Sequence, residues 1–562
     1  MKQYTIGLDY GTNSCRALIV DLSDGTELST SVFPYPSGDS GILLDLQDPN
    51  VARQHPQDYL DGIAATITDT LHQAKENDPA FDPRHVLGIG VDTTGSSPMP
   101  VDAKGTPLGL LPEFKDNLNA MCWLWRDHTS YVEAAQITQL AANMRPQYLD
   151  KIGGTYSSEW FWSKILHCKN VDPDVFEKAY SFVELCDYLP AVLTGDTNPA
   201  TMKRSVCAAG HKAMYSDAWN GLPDKEFLIA LDPALGELRD RLFDTALSSE
   251  NLAGPLSDDW ASRLGLKPGI AVAVGAFDAH MGAVGAGVKE GTLVKILGTS
   301  TCDIMVWNNR SALKDIPGVC GIVNGSVMAD HFGIEAGQSA VGDIFLWFVN
   351  HLTPEKYGTT VDDKFENLEK AAGTLKPGQS GLLALDWNNG NRTILVDVRL
   401  SGLLLGQTLH TTPHEIFRAL IESTAFGALT IINRIEEFGV PVKEIVNCGG
   451  LAAQSPLLMQ IYTDITGRPM KLTRSDQTPA LGAAMFGAIA ADAFANVESA
   501  QAAVTDTKAA VYEPNPEHHA VYQRLYVLYK QMHDAFGTPD WSGSMYTVMK
   551  DLLEIRDHER KK

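Results

Sequence analysis

Tyr4-Thr5-Ile6-Gly7-Leu8-Asp9-Tyr10-Gly11-Thr12-Asn13-Ser14-Cys15-Arg16-Ala17-Leu18-Ile19-Val20-Asp21 is the stretch on which the fold turns. Residues 4–8 read as a strand and residues 17–21 as a strand returning beside it, with a polar, glycine-bearing tip between. One such tip is an ordinary turn, with Asp9 as readily a turn-capping residue as a functional one. A second copy changes its meaning. Gly298-Thr299-Ser300-Thr301-Cys302 repeats the G-T-x-(S/T)-C of Gly11-Thr12-Asn13-Ser14-Cys15, and it too follows an apolar strand, Leu293-Val294-Lys295-Ile296-Leu297. Two hairpins of one design imply two related domains, each presenting a polar tip to a shared cleft. The expected domains are 1–285 and 286–562, joined at the glycine-rich Gly285-Ala286-Gly287-Val288-Lys289-Glu290-Gly291.

Working outward, Tyr59, Ile63, Ile67 and Leu71 recur every four residues after His55-Pro56, which predicts an amphipathic helix with a proline start. Val86-Leu87-Gly88-Ile89-Gly90-Val91 predicts a buried strand ending in Asp92, and Ala271-Val272-Ala273-Val274-Gly275 another ending in a glycine loop. The second half predicts a helix over 413–438, a strand at 445–447, the turn Gly449-Gly450, helices near 456–466 and 479–491, and a helical tail from about 512. Strands and helices alternate, so the class is α/β.

The 562 residues suffice for two sizeable cores, and 44% hydrophobic with 20% charged residues is the composition of a folded globular chain. Lys+Arg 45 against Asp+Glu 69 gives −24, the wrong sign for a nucleic-acid binder. Any phosphate substrate must then be held by local devices: backbone N–H groups in glycine turns, helix N-termini or a divalent cation. The eight cysteines form no C-x-x-C, and the longest apolar run, near 481–491, is short and rich in small residues. Neither a membrane nor export is expected, and the cytoplasm is the expected compartment.

No Gly-Lys dipeptide, His-Arg-Asp or Asp-Phe-Gly occurs, which excludes the Walker phosphate loop and the protein-kinase signature. The two tips offer an alternative: Gly11 and Gly298 let the backbone approach a phosphate, while Thr12, Asn13, Ser14, Thr299 and Ser300 add donors. A carboxylate at Asp9 would be repelled by phosphate unless a cation such as Mg²⁺ lay between them. Asp278, in Gly275-Ala276-Phe277-Asp278-Ala279-His280-Met281-Gly282, stands just after a buried strand, where α/β proteins present catalytic groups; it is the candidate general base, with a helix N-cap as the competing reading. Gly449-Gly450-Leu451-Ala452-Ala453-Gln454 is thin enough to let a flat adenine lie on the backbone. Trp160-Phe161-Trp162 and His518-His519 read as a packed helix face and an exposed tail, without assigned roles.

In that order, the hairpin, Gly275-Ala276-Phe277-Asp278, the Gly298 turn, Gly449-Gly450 and Ala480-Leu481-Gly482-Ala483-Ala484 resemble the FGGY carbohydrate kinases, a likeness running from Tyr4 to about Tyr526. The resemblance implies two actin-like (ribonuclease H-like) ATPase domains facing a central cleft that holds ATP and a sugar. Within that family, Gly90-Val91-Asp92-Thr93-Thr94-Gly95-Ser96-Ser97-Pro98, Leu124-Trp125-Arg126-Asp127-His128-Thr129, Ile152-Gly153-Gly154-Thr155-Tyr156-Ser157-Ser158-Glu159-Trp160-Phe161-Trp162 and Ala209-Gly210-His211-Lys212 are similar to segments of bacterial L-ribulokinases. Many other members carry Trp-x-Asp-x-Arg where this chain has Thr129, which argues against a glycerol kinase or a xylulokinase.

The resemblance implies Asp278 as the base and, with Asp9, a metal residue. It implies nucleotide contacts at Thr12, Asn13, Ser14, Arg16, Thr299, Gly342, Gly449, Gly450 and Gln454, and sugar contacts at Ser96, Lys212, Asp278 and Glu335. The implied reaction is ATP-dependent phosphorylation of L-ribulose in L-arabinose catabolism, with Mg²⁺ as cofactor. Another pentulose or pentitol (D-ribulose, xylulose, ribitol) is the alternative substrate, an actin-like ATP switch the alternative class, and homodimerisation is left open.

Overall fold

The opening hairpin forms as read in the computed structural model of the chain, which describes residues 2–308 and 313–562. Strands β1 (Tyr4–Tyr10) and β2 (Ser14–Asp21) pair antiparallel with Asp9 opposite Arg16. β3 (Glu27–Pro34) continues on the outer side of β2, and β4 (Val86–Thr93) runs parallel to β1 in a register that sets Asp92 beside Asp9. With β5 (Leu252–Pro255) and β6 (Ala271–Ala273) the sheet reads β3-β2-β1-β4-β6-β5, and β7 (Ala276–Phe277) pairs with the end of β4.

The second sheet repeats the plan with β8 (Thr292–Leu297), β9 (Thr301–Asn308), β10 (Gly321–Asn324), β11 (His331–Ala336), β12 (Glu444–Cys448), β13 (Met470–Thr473) and β14 (Thr507–Tyr512), in the order β10-β11-β9-β8-β12-β13-β14. Hairpin β8–β9 takes the place of β1–β2, β11 that of β3, and the parallel strand β12 that of β4. The duplicated tip therefore marks a duplicated α/β domain of actin-like, ribonuclease H-like build.

Helix α1 (Pro56–Asn77) starts at its proline with the His55 ring accepting from the Gln57 N–H, and it buries Tyr59, Ile63 and Ile67 completely against the first sheet. Each such side chain is worth about 1.5–3 kcal/mol of transfer free energy. The segment between β4 and β5 adds a mainly helical subdomain with its own core around Trp123, Phe161, Trp162 and Ile165, and it contributes α2 (Val206–Lys212) to the cleft. Helix α3 (Asp278–Gly285) follows β7. In the second lobe, α4 (Pro413–Glu437) is set by a capping box between Thr412 and Glu415 and is the main core helix.

Helix α5 (Thr478–Ala490) explains the apolar run near 481–491. In sequence it lies between β13 and β14 of the second lobe, yet it packs on the first sheet, so close that a Cβ at Gly7 would strike the Ala480 carbonyl, one at Gly90 that of Ala483 and one at Gly88 that of Gly487. Together with α3 it joins the lobes through a core that takes Leu18 and Val20 from one sheet and Val294 and Ile304 from the other. Gly90→Ala is expected to cost at least about 1–3 kcal/mol, because backbone must move to admit the methyl group. A urea midpoint equal to that of the unmodified protein would refute this packing. Among the described residues, no helix is long and apolar enough to cross a membrane.

Candidate active site

Each tip is fastened from behind and left open in front. At the first, the Gly11 N–H donates to the Ser14 carbonyl (2.9 Å), the Asn13 amide to the Ser40 carbonyl (2.7 Å), the Gln54 amide to the Thr12 carbonyl (2.7 Å) and the Trp125 indole to the Thr12 hydroxyl (3.1 Å). At the second, the Gly298 N–H donates to the Ser300 carbonyl (3.0 Å), and the Gly342 N–H, opening the helix Gly342–Leu352, donates to the Gly298 carbonyl (3.1 Å). Gly449 follows β12 at a positive φ of 94°, beside Leu297 at the end of β8, so the Gly449-Gly450 turn and the second tip are neighbours. Gly449, Gly450 and Gln454 are exposed, which leaves this turn accessible.

Between the tips runs a row of carboxylates. Asp9 and Asp92 stand side by side on adjacent parallel strands, Ala276 pairs with Asp92, and Asp278 follows at the head of α3. Arg16 Nε is 3.3 Å from Asp9 Oδ2. Burial raises the Asp9 carboxyl against the opposing Arg16 charge; it raises Asp92 much further, with Asp9 and Asp278 adding to the rise. Asp92 is fully buried, and neither of its oxygens has a hydrogen-bond partner. Orphaned carboxylate oxygens next to two further carboxylates are the donor set a hard divalent cation takes, so these residues fit Mg²⁺. Asp278 is pushed up to about 7, chiefly by burial and next by Asp9, which suits a base working near neutrality. Its Oδ1 accepts from the Ala279 N–H at 2.6 Å, and Asp278 is the first residue of α3, so the N-cap position that the sequence suggested for it belongs to Phe277.

The residues expected at the sugar come from both lobes. Lys212 Nζ, at the end of α2, lies 3.4 Å from Glu335 Oε1 on β11 and over the rings of Trp160 (5.4 Å) and Phe277 (5.6 Å). Burial favours the neutral form of both, yet Lys212 is raised by Glu335, and Glu335 is held well below the usual carboxylate range by Lys212, His211 and His280. Ser96 is buried with its hydroxyl unpartnered, and its carbonyl accepts from Lys164 Nζ at 2.8 Å. The same ammonium reaches the Leu124 carbonyl at 2.9 Å, and Glu184 Oε2 accepts from the Ser97 N–H at 2.7 Å. These buried charges shape the Ser96 loop.

Sequence reading assigned no role to several of these groups. Asp92 is the same residue type as Asp9 at the same place on a neighbouring strand, a signal available only once the two strands are known to pair. Trp160, read as packing alone, is buried but also lies under Lys212, and the Tyr156 hydroxyl donates to the Lys212 carbonyl at 2.5 Å. Thr129 donates its hydroxyl to Asp127 (2.6 Å), and a guanidinium faces that carboxylate from Arg53, which is stacked on Trp123. His518 and His519 dock on Asp464, far from this chemistry in the chain's order of elements.

The sequence matches the FGGY family of carbohydrate kinases, N-terminal domain, over residues 4–285 and the C-terminal domain of the same family over 293–491. A ribulokinase of Vibrio parahaemolyticus is 42% identical over 546 residues, 94% of this chain and 95% of its own. One of Shouchella clausii is 41% identical over 577 residues, 100% of this chain and 99% of its own. Among solved structures, a xylulose kinase from Rhodospirillum rubrum aligns with a TM-score of 0.77 at 21% identity, covering 95% of this chain and 99% of that one, a likeness of fold. With both lobes matched, the chain belongs to the FGGY family of carbohydrate kinases and is an ATP-using sugar kinase.

Proposed function

We propose that the protein transfers the γ-phosphoryl group of ATP to the terminal hydroxyl of L-ribulose, giving L-ribulose 5-phosphate and ADP. The observation that carries this reading is Asp278, half-buried, raised to about 7 and feeling the charges of Glu335 and Lys212. The choice of ribulose rests on the full-length likeness to ribulokinases.

In this reading Lys212 donates to sugar oxygens and Glu335 accepts from hydroxyls, which orients the open-chain ketose. Asp278 takes the proton of the terminal hydroxyl as its oxygen forms the new bond to the γ-phosphorus, the bond to the β–γ bridging oxygen breaks, and ADP leaves. Backbone and side-chain donors at Thr12, Asn13, Ser14 and Thr299, with Arg16 behind them, stabilise the phosphate oxygens in flight, while Gly342 braces the second tip and Gly449, Gly450 and Gln454 accept the adenosine side. A divalent cation held by Asp9 and Asp278, with Asp92 beside them, would supply charge neutralisation between the phosphates. Closure of the lobes keeps water from competing with the sugar.

We place the domain boundary at 285/286 and the enzyme in the cytoplasm, a placement supported by eight cysteines that are all free. Association of two copies into a homodimer belongs to the same proposal, and sedimentation velocity reads it. An ADP-release assay over a panel of acceptors tests the substrate. L-ribulose is expected to give the highest kcat/KM, and turnover with D-xylulose, ribitol or glycerol but not L-ribulose would contradict the assignment.

A further inference from the structure

Behind Glu335 lie two histidines that the mechanism above does not use. His211 precedes Lys212 on α2, and His280 lies two residues after Asp278 on α3; both are almost wholly buried. Lys212 Nζ faces one carboxylate oxygen of Glu335 at 3.4 Å, and His211 Nδ1 faces the other at 3.2 Å. On the far side of the same imidazole, His211 Nε2 is 3.0 Å from His280 Nε2 and 3.1 Å from the Ser326 hydroxyl. Consecutive residues of one lobe thus face both oxygens of a carboxylate carried by the other.

The space for this arrangement is built in. A Cβ at Gly321, the residue paired with Glu335 across β10 and β11, would occupy the position of His211 Nδ1, and one at Gly210 would strike Val323. Two nitrogens facing each other at 3.0 Å share a single proton. If His211 donated it, the Nδ1 lone pair would point at a carboxylate and be repelled. The charge on Glu335 therefore selects the other arrangement: His280 donates through Nε2 to His211 Nε2, and His211 keeps its proton on Nδ1, facing Glu335. The His211–Glu335 contact lies off the hydrogen-bond axis, and contacts of this kind tighten as substrate draws the lobes together.

We propose that His211 and His280 are positioning residues, a two-imidazole relay from the helix that begins with Asp278, across the seam between the lobes, to Glu335, fixing that carboxylate relative to the base for recognition of the acceptor sugar. The proposal rests on the reading of Glu335 as a sugar contact. The same three residues could be taken for a metal site, since their donor atoms lie within 4.8 Å of one another. Lys212, 3.4 Å from the shared carboxylate, opposes a cation there, and His211 turns its two nitrogens to different partners.

The test is steady-state kinetics on His211→Leu, His211→Asn, Glu335→Gln and the double variant His211→Leu with Glu335→Gln, each with KM for L-ribulose and for ATP measured separately. Loss of a donor to a charged group should raise KM for the sugar about tenfold or more in His211→Leu, with KM for ATP changed less than about twofold. His211→Asn, whose amide nitrogen can stand where Nδ1 stands, should recover most of the loss. Adding His211→Leu to Glu335→Gln should change the sugar KM little further. Equal defects in the Leu and Asn variants, or full additivity in the double variant, would reduce His211 to packing and overturn the proposal, as would a stoichiometric metal surviving dialysis. If Glu335→Gln alone leaves the sugar KM unchanged, the sugar-site reading fails first. Where His211→Leu does not fold, His280→Gln, which keeps a donor at the Nε2 position, against His280→Leu makes the same comparison: equal sugar KM values overturn the relay.

Discussion

Asp278→Asn lowers kcat about a hundredfold or more while leaving KM for ATP and for the sugar within a few-fold. The substitution is isosteric, and it removes the half-buried member of three neighbouring carboxylates, Asp9, Asp92 and Asp278, so the fold should not suffer. What it takes away is the acceptor for the hydroxyl proton. An amide cannot accept that proton, so the sugar oxygen must attack while still protonated, and the loss falls on kcat because it is felt only as the P–O bond forms. A variant that binds both substrates and turns over at a near-normal rate would remove Asp278 from this role.

The second large effect is expected at Lys212. Lys212→Met should lower kcat/KM for the sugar roughly a hundredfold, about 2.7 kcal/mol, with the ATP side little affected. The ammonium sits between the Trp160 and Phe277 rings and is the largest of the charges that hold Glu335 ionised. Methionine keeps the apolar stem but leaves Glu335 buried without its main counter-charge, the costly way to break a buried pair. Glu335→Gln in the same chain removes that stranded charge. The double variant should therefore regain thermal stability without regaining sugar affinity, and a double variant no more stable than Lys212→Met would show that the two residues are not paired as described.

What the sequence disclosed of this architecture was local. The hairpin at 4–21, its copy at 298–302, the strand-turn at 445–450 and the proline-started helices α1 and α4 are set by near neighbours in the chain, and each stands where its residues predict. The α/β class and the pairing of two like domains followed from repetition. The illegible part depends on pairings between distant segments. Asp92 acquires its meaning from the register of β4 on β1, and Gly7, Gly88 and Gly90 from a helix whose residues lie far further along the chain, at 478–490. Likewise, Trp125 and Gln54 meet Thr12 only through the fold. Residues 160–162 show the limit of a single reading, since a ring buried in a core can also be the surface on which a cleft lysine, Lys212, rests.

The most direct test of the central claim, two lobes closing on ATP and a ketopentose with Asp278 as base, is to follow ADP release and ³¹P NMR together in one sample of enzyme, ATP and L-ribulose. The expected result is one ADP for each L-ribulose consumed and a new phosphomonoester coupled to the protons of the terminal methylene. ADP release that proceeds at the same rate without sugar, leaving only inorganic phosphate, would contradict it and identify an ATP-hydrolysing switch in place of a sugar kinase.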